Sequence, residues 1–152
     1  MRIIIGCDQN GLELKNALIE HMMSNGHDCE DIGTHGTEAI DYPDIALQLA
    51  EEIAKGNHNR GILICGTGIG MAITANKVPG VRAAQVHDAY SAERARKSND
   101  AQIITLGAQV IGVEIAKMLL DAWLTSDYSG GRSAPKVEKV IAIDEKYRRP
   151  LE

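Results

Sequence analysis

The sequence predicts a Rossmann-like three-layer α/β/α sandwich: a five-stranded parallel sheet covered on both faces by helices, with a helical arm at its C-terminal end. Three observations predict it. Short β-rich runs alternate along the chain with stretches of helical periodicity, the pattern of a parallel sheet whose ligands bind beyond the carboxyl ends of its strands. The 152 residues fit one domain with one core. No internal repeat, low-complexity segment or second-domain linker divides them, so residues 1–152 are expected to form a single domain with about 127–152 as the arm.

Arg2 to Cys7 reads as the first strand, and a helix follows from about Gly11 to Asn25, with Leu12, Leu14, Leu18 and Met22 roughly on one side and Gly26 ending it. His27 to Ile32 is a weaker strand. A loop from Gly33 to Thr37 leads to Asp41-Tyr42-Pro43, where the proline suits the first turn of a helix running to about Lys55. Gly61 to Cys65 is the clearest buried strand, and Gly66-Thr67-Gly68-Ile69-Gly70 opens a third helix to about Asn76. Val81 to Val86 forms the fourth strand, Ser91 to Ser98 a helix, and Ala101 to Leu106 the fifth strand. Gly107 is expected to begin a long apolar helix through Trp123. Beyond Tyr128 to Arg132, a charged helix to about Arg148 has few large apolar residues to pack on a sheet, which is why it reads as an appended arm.

Composition excludes several function classes. A net charge of −5 and an aromatic content of 3%, with no Phe, give neither a basic footprint nor stacking platforms for nucleic acid. No apolar run approaches the roughly 20 residues of a membrane span. Met1 to Gly6 reads as a strand rather than a secretory signal, so the cytoplasm is the expected location. Cys7, Cys29 and Cys65 are an odd number without a CxxC pair, which suggests neither a disulfide framework nor a zinc site.

The strongest local signal is Ile62-Leu63-Ile64-Cys65 running into Gly66-Thr67-Gly68-Ile69-Gly70, a buried strand that delivers a cysteine to a glycine-rich turn at the mouth of a helix. Glycines let backbone N–H groups converge on an oxyanion, and such a field favours thiolate over thiol. The acidic residue of a dinucleotide fingerprint is missing: Val86 and His87 stand where it is expected, followed by Asp88. Asp8-Gln9 ends the first strand, so Asp8 should reach the same sheet edge as Cys65, either to hold sugar hydroxyls or to cap the first helix. Asp41 and Tyr42 cap a helix and then touch ligand. His87 follows a strand directly and is a better site candidate than His21, His27 or His58, whose settings read as surface. Arg132 and Lys136 on the arm could grip a phosphate or be solvated.

Taken together, Gly6-Cys7-Asp8, Asp41-Tyr42-Pro43, Ile64 to Gly70, Ala75 to Gly80, Ser98-Asn99-Asp100-Ala101 and Gly130-Gly131-Arg132 resemble the type B ribose-5-phosphate isomerase family, which also contains galactose-6-phosphate and allose-6-phosphate isomerases. The resemblance implies a homodimer or dimer of dimers with active sites shared between subunits, and no metal or other cofactor. It assigns Cys65 as the base, Gly66, Gly68 and Gly70 to the enediolate, and Thr67 and Asp8 to the sugar oxygens and ring opening. A neighbouring subunit would complete the pocket with the segment around Ser98 and Asn99.

Four positions depart from the family pattern. Gln9 and Ser98 stand where histidines are usual, Gln109 where an arginine often binds phosphate, and Lys136 where the arm carries a second arginine. With His87 and Asp88, this rim resembles a branch that includes tetrulose phosphate isomerases of erythritol breakdown. A four-carbon sugar phosphate cannot close a furanose, so a ring-opening histidine would be dispensable; alternatively His87 supplies that imidazole from another strand. The expected function is therefore an aldose–ketose isomerase of phosphorylated sugars, ribose 5-phosphate/ribulose 5-phosphate by default and erythrulose 4-phosphate/erythrose 4-phosphate as the alternative. A non-catalytic phosphate- or nucleotide-binding module would have no use for the thiol, and a thiol redox protein would need a resolving cysteine.

Overall fold

Every residue of β1 (Ile3–Cys7) and β3 (Arg60–Cys65) is buried, so these strands must be covered on both faces, and their alternation sorts the core into two clusters. Ile3, Ile5, Cys7, Ile62 and Ile64 point to one face and Ile4, Leu63 and Cys65 to the other. The computed structural model describes residues 1–36 and 38–148; Thr37, at the end of the expected first loop, and 149–152, at the end of the expected arm, lie outside it. Among the described residues, β2 (Cys29–Asp31), β4 (Ala83–Gln85) and β5 (Ile103–Gly107) complete an all-parallel five-stranded sheet of order β2-β1-β3-β5-β4.

Helices α1 (Leu12–Ser24), α4 (Ala89–Lys97) and α5 (Val113–Leu124) cover the first face, and α2 (Tyr42–Ala54) and α3 (Ile69–Ala75) the second. The expected α/β/α sandwich is the observed fold. Its edge strands β2 and β4 are shorter than expected, three residues each. Edge β4 is blunted by Asn76, whose carboxamide donates to Ala83 O at 2.8 Å and accepts from Ala83 N–H at 2.9 Å, using backbone groups that a further strand would need.

Two helix starts differ from the sequence expectation for the same reason. The expected helix from Gly107 begins only at Val113: Gly112 before it is extended (φ −80°, ψ 167°), and Ala108 and Gln109 donate their amides to Cys65 O (2.9 Å) at the end of β3 and Gly66 O (3.0 Å) in the turn beyond it. Likewise α3 begins at Ile69 rather than at the first glycines, because Gly68 before it is left-handed (φ 76°). A residue with non-helical φ and ψ ends the run of helical backbone whatever the apolar periodicity around it.

Two buried cations tie the layers together. Lys15 Nζ of α1 meets both carboxylate oxygens of Asp31 on β2 at 2.6 Å. Arg60, at the start of β3, donates to Trp123 O and Ser126 O at 2.8 Å each while its guanidinium lies 5.0 Å from the Trp123 ring centre. Burial, with Arg96 nearby, pushes the Arg60 pKa down to about 10, so it stays charged at neutral pH. The arm, α6 (Ala134–Arg148), buries only Val137 and is held largely by polar contacts: Gly80 N–H donates to Asp144 at 2.8 Å, and Arg148 donates to Asp144 and to Lys77 O. Val140, Ile141, Ile143 and Tyr147 of α6 are exposed. No helix among the described residues is long and apolar enough to cross a membrane.

Removing a buried guanidinium orphans the carbonyls it satisfies. Arg60→Ala should therefore cost about 3 kcal/mol of folding stability, read as a lower urea midpoint; an unchanged midpoint would show that Arg60 does not fasten α5 to the sheet.

Candidate active site

Ligand-binding geometry arises where the chain changes direction across the sheet. From β1 it moves outward to β2, and from β3 outward to β4 on the other side, with α1 and α3 on opposite faces. The carboxyl ends of β1 and β3 therefore bound an open crevice. Asp8 follows β1 and Cys65 ends β3 there, beside a cleft of about 410 Å³ that also takes in Asn10, Tyr42, Thr67 and Gly70.

Cys65 is 5% exposed, and its Sγ accepts a hydrogen bond from Gly68 N–H at 3.1 Å. Gly68 has φ +76° and sits so close to β5 that a Cβ would stand 2.9 to 3.1 Å from the Leu106 backbone, so neither its conformation nor its space admits another residue. From below, the Thr105 hydroxyl donates to Gly68 O at 2.7 Å, and from β4 the Gln85 carboxamide donates to Thr67 O at 2.8 Å. With these carbonyls held by the sheet, the turn is fixed at the edge of the cleft, its Gly68 N–H on the Cys65 sulfur and its Ile69 N–H on Thr67 Oγ1 at 3.2 Å. The Tyr42 ring packs onto Gly70, filling the place of a Cβ.

Cys7 ends β1 much as Cys65 ends β3, but it faces the opposite layer and is fully buried. Burial pushes its thiol up to about 11, against the opposing pull of the Thr34 backbone and of Lys15. Burial, then Asp31, also pushes Cys29 up. Asp8 Oδ1 accepts from Asn10 N–H at 2.9 Å and caps a single 3-10 turn, Gln9–Gly11, so its capping and cleft-lining roles coexist.

The structure thus brings together Asp8, Tyr42, Cys65, Gly66, Thr67 and Gly70, with Gly68 bonded to the sulfur. Gln109 stands at the rim, its Oε1 3.1 Å from where a Cβ on Gly66 would lie. Gln9 does not line this cleft; its Oε1 accepts from Ile40 N–H at 3.0 Å and holds the loop before α2. Nor does His87, whose Nε2 accepts from Gly107 N–H at 2.9 Å, which places the ring proton on Nδ1 and makes the imidazole a brace for the end of β5. Asp88 caps α4: hydrogen bonds from the Ser91 side chain and amide hold its carboxyl below the usual range. Asp41 occupies the N-cap position of α2 without a side-chain capping bond. His58, expected at the surface, is half-buried against Glu30 at 2.8 Å, and His21 meets Asp121 at 2.8 Å.

Ser98, Asn99, Arg132 and Lys136 line a different cleft, about 700 Å³ in volume, between edge strand β4, α4 and α6. It shares no lining residue with the first. Arg82, Arg94, Arg132 and Lys136 bring four cations to its wall and no carboxylate lines it, a composition suited to an anion. Sequence reasoning missed Asn10, Gln85 and Thr105. Only Thr105 carried a signal, as a lone hydroxyl inside the apolar run Ile103 to Leu106, where a buried polar group must find a partner. Among the described residues, no three His, Cys, Asp or Glu side chains gather as a metal site.

The family model described as ribose/galactose isomerase matches residues 3–140. A protein of Listeria innocua named ribose-5-P isomerase B is 57% identical over 97% of this chain and 100% of its own length. A D-erythrulose-4-phosphate isomerase of Pectobacterium atrosepticum is 54% identical over 92% of this chain and 93% of its own. Among solved structures, the ribose-5-phosphate isomerase B of Clostridium thermocellum superposes with a TM-score of 0.94 at 45% identity, covering 97% of this chain and 99% of that one.

The contrast between the cysteines is directly measurable. Under native conditions near neutral pH, iodoacetamide should label Cys65, which lines the cleft, before Cys7, whose thiol stays protonated far above that pH. Peptide mass spectrometry that found Cys7 modified first would reverse the assignment.

Proposed function

The chain belongs to the ribose/galactose isomerase family and is an aldose–ketose isomerase; from that premise we propose that it interconverts ribose 5-phosphate and ribulose 5-phosphate, with Cys65 as the base. The observation that carries the proposal is the sulfur itself, set in the crevice between β1 and β3 with an amide aimed at it. Cys65 thiolate takes the proton from C2 of the open aldose, and the electron pair moves through C1 to O1, giving a cis-enediolate. The proton then returns from the thiol to C1 while the O2 proton passes to O1, leaving the ketose. Turn amides from Gly66 to Gly70 stabilise the developing oxyanion, Thr67 and Asp8 hold the sugar oxygens and assist ring opening, and Tyr42 and Gln109 line the approach. Only protons move, so neither a metal nor an organic cofactor is required by this route.

The phosphate is assigned to Arg132 and Lys136, with Ser98 and Asn99 beside them. Because these groups line the second cleft, the proposal includes a homodimer, or a dimer of dimers, in which this cleft of one subunit faces the Cys65 cleft of its partner. The exposed apolar residues of α6 support such an association. A cytoplasmic location follows from the metabolic role. The second reading, erythrulose 4-phosphate as substrate, is favoured by one observation, Ser98 in place of a ring-opening histidine, and by the 54% identical relative of that name. Against His87 filling that gap stands its Nε2, which accepts from Gly107 N–H in the subunit described.

Folded Cys65→Ala should lose ribose 5-phosphate isomerisation by at least ~10²-fold, the usual contribution of a positioned base. Near-normal turnover would end the mechanism, and a higher kcat/KM for erythrulose 4-phosphate than for either pentose phosphate in the unmodified enzyme would install the second reading. Sharing of sites has its own test. Cys65→Ala and Arg132→Ala subunits, each feeble alone at low substrate, should on co-refolding recover up to about a quarter of normal activity, because half the dimers then hold one intact site. No recovery would place both residues in sites built from one chain.

A further inference from the structure

Resting on the reading of the second cleft as the phosphate half of the site, we infer that Arg94 is a further phosphate-binding residue and helps set specificity for the phosphorylated sugar. The four cations of that cleft are not equivalent. Arg82 is committed: it meets Asp100 at 3.2 Å and donates to the backbone carbonyls of Asn99 and Asp100. Arg94 has a poorer set of contacts. Its terminal nitrogen meets Glu93 at 2.9 Å, but Glu93 is part-exposed and is also approached by Lys97 at 3.4 Å, while Arg94 Nε is buried with no hydrogen-bond acceptor among the described residues. An under-satisfied guanidinium gives up little by turning to a stronger acceptor.

Position supplies the second argument. Ser98 N–H donates to Arg94 O at 2.8 Å, so the two residues lie one helical turn apart on α4 and line the same wall. Ser98 is small, so it leaves space beside the long Arg94 side chain. Tyr90, one turn earlier, lies with its ring centre 6.0 Å from the guanidinium and keeps the stem on the cleft side of the helix. Arg94 from α4 faces Arg132 and Lys136 from the arm, and a phosphate dianion between them would be met from two elements rather than one. A planar fork from α4 would bond two phosphate oxygens at once, which a serine hydroxyl at position 98 cannot do.

The test uses inorganic phosphate as a competitive inhibitor, with chloride at matched ionic strength as the control. Arg94→Leu should raise the phosphate inhibition constant and the KM for the sugar phosphate about tenfold, with a much smaller change in kcat, and Arg94→Lys should recover part of the loss. A purely structural role would lower kcat and the melting temperature together without this split. Should Arg94→Leu not fold, by circular dichroism, Arg94→Gln takes its place. An unchanged phosphate constant in the folded variant overturns the inference, as does failure of the unmodified protein to bind phosphate by calorimetry. If the unmodified protein binds phosphate through Arg94 yet isomerises no sugar phosphate, the inference stands and the isomerase substrate reading falls.

Discussion

The turn from Cys65 to Gly70 is pressed against the end of β5 so closely that two residues have lost the room for a Cβ. Gly68 lies on the Leu106 backbone, and a Cβ on Gly107 would stand 2.8 Å from the Thr67 backbone. Much of the site follows from this contact. It forces the left-handed conformation at Gly68, which swings that residue's N–H onto the Cys65 sulfur. It brings the Gly68 carbonyl within reach of Thr105, and it commits the amides of Ala108 and Gln109 to the Cys65 and Gly66 carbonyls. The contact requires β5, not β4, to lie beside β3, so the crossed strand order is a condition of the site as well as a feature of the fold.

A second layer of support comes from the strand beyond. Gln85 crosses β5 to hold Thr67 O, and His87 accepts from the Gly107 amide, so the two polar residues around the end of β4 steady both sides of the same contact. Such bonds are individually modest. Their value lies in geometry: together they hold the turn in a single conformation beside Cys65.

Charge is distributed just as unevenly. The chain is acidic overall, with a net −5, yet one cleft gathers four cations and no lining carboxylate. Local placement, not net charge, prepares a protein for an anionic ligand. The buried pairs elsewhere, Lys15 with Asp31 and Arg60 with the end of α5, are fastenings between layers, where the desolvation of each charge is offset by the acceptors packed against it.

Much of this was legible in the chain. Alternating runs of strand and helix character are local, because a period of two or of 3.6 is a property of consecutive residues, and they specified the layered parallel sheet and five of the six α-helices among the described residues to within a few residues. The glycine turn after Cys65 was legible for the same reason. Gln9, singled out by the resemblance, and His87, singled out for following a strand, are each bonded to distant backbone: Gln9 accepts from the Ile40 amide and His87 from the Gly107 amide. Those bonds join positions 31 and 20 residues apart, and no local pattern announces them. The start of α5 was missed because Gly112, extended just before it, breaks a run whose apolar spacing continues.

By itself, then, the sequence determined which segments are strands and helices, where the tight turn falls, and which thiol opens it. Only the tertiary structure decided that Cys7 faces away from that turn, that Thr105 and Gln85 clamp it, and that Arg132 and Lys136 share a cleft with Arg94 apart from Cys65. Secondary structure is set by neighbours along the chain, whereas a side chain's partner is set by which strands lie side by side, and that order exists only once the whole sheet has assembled.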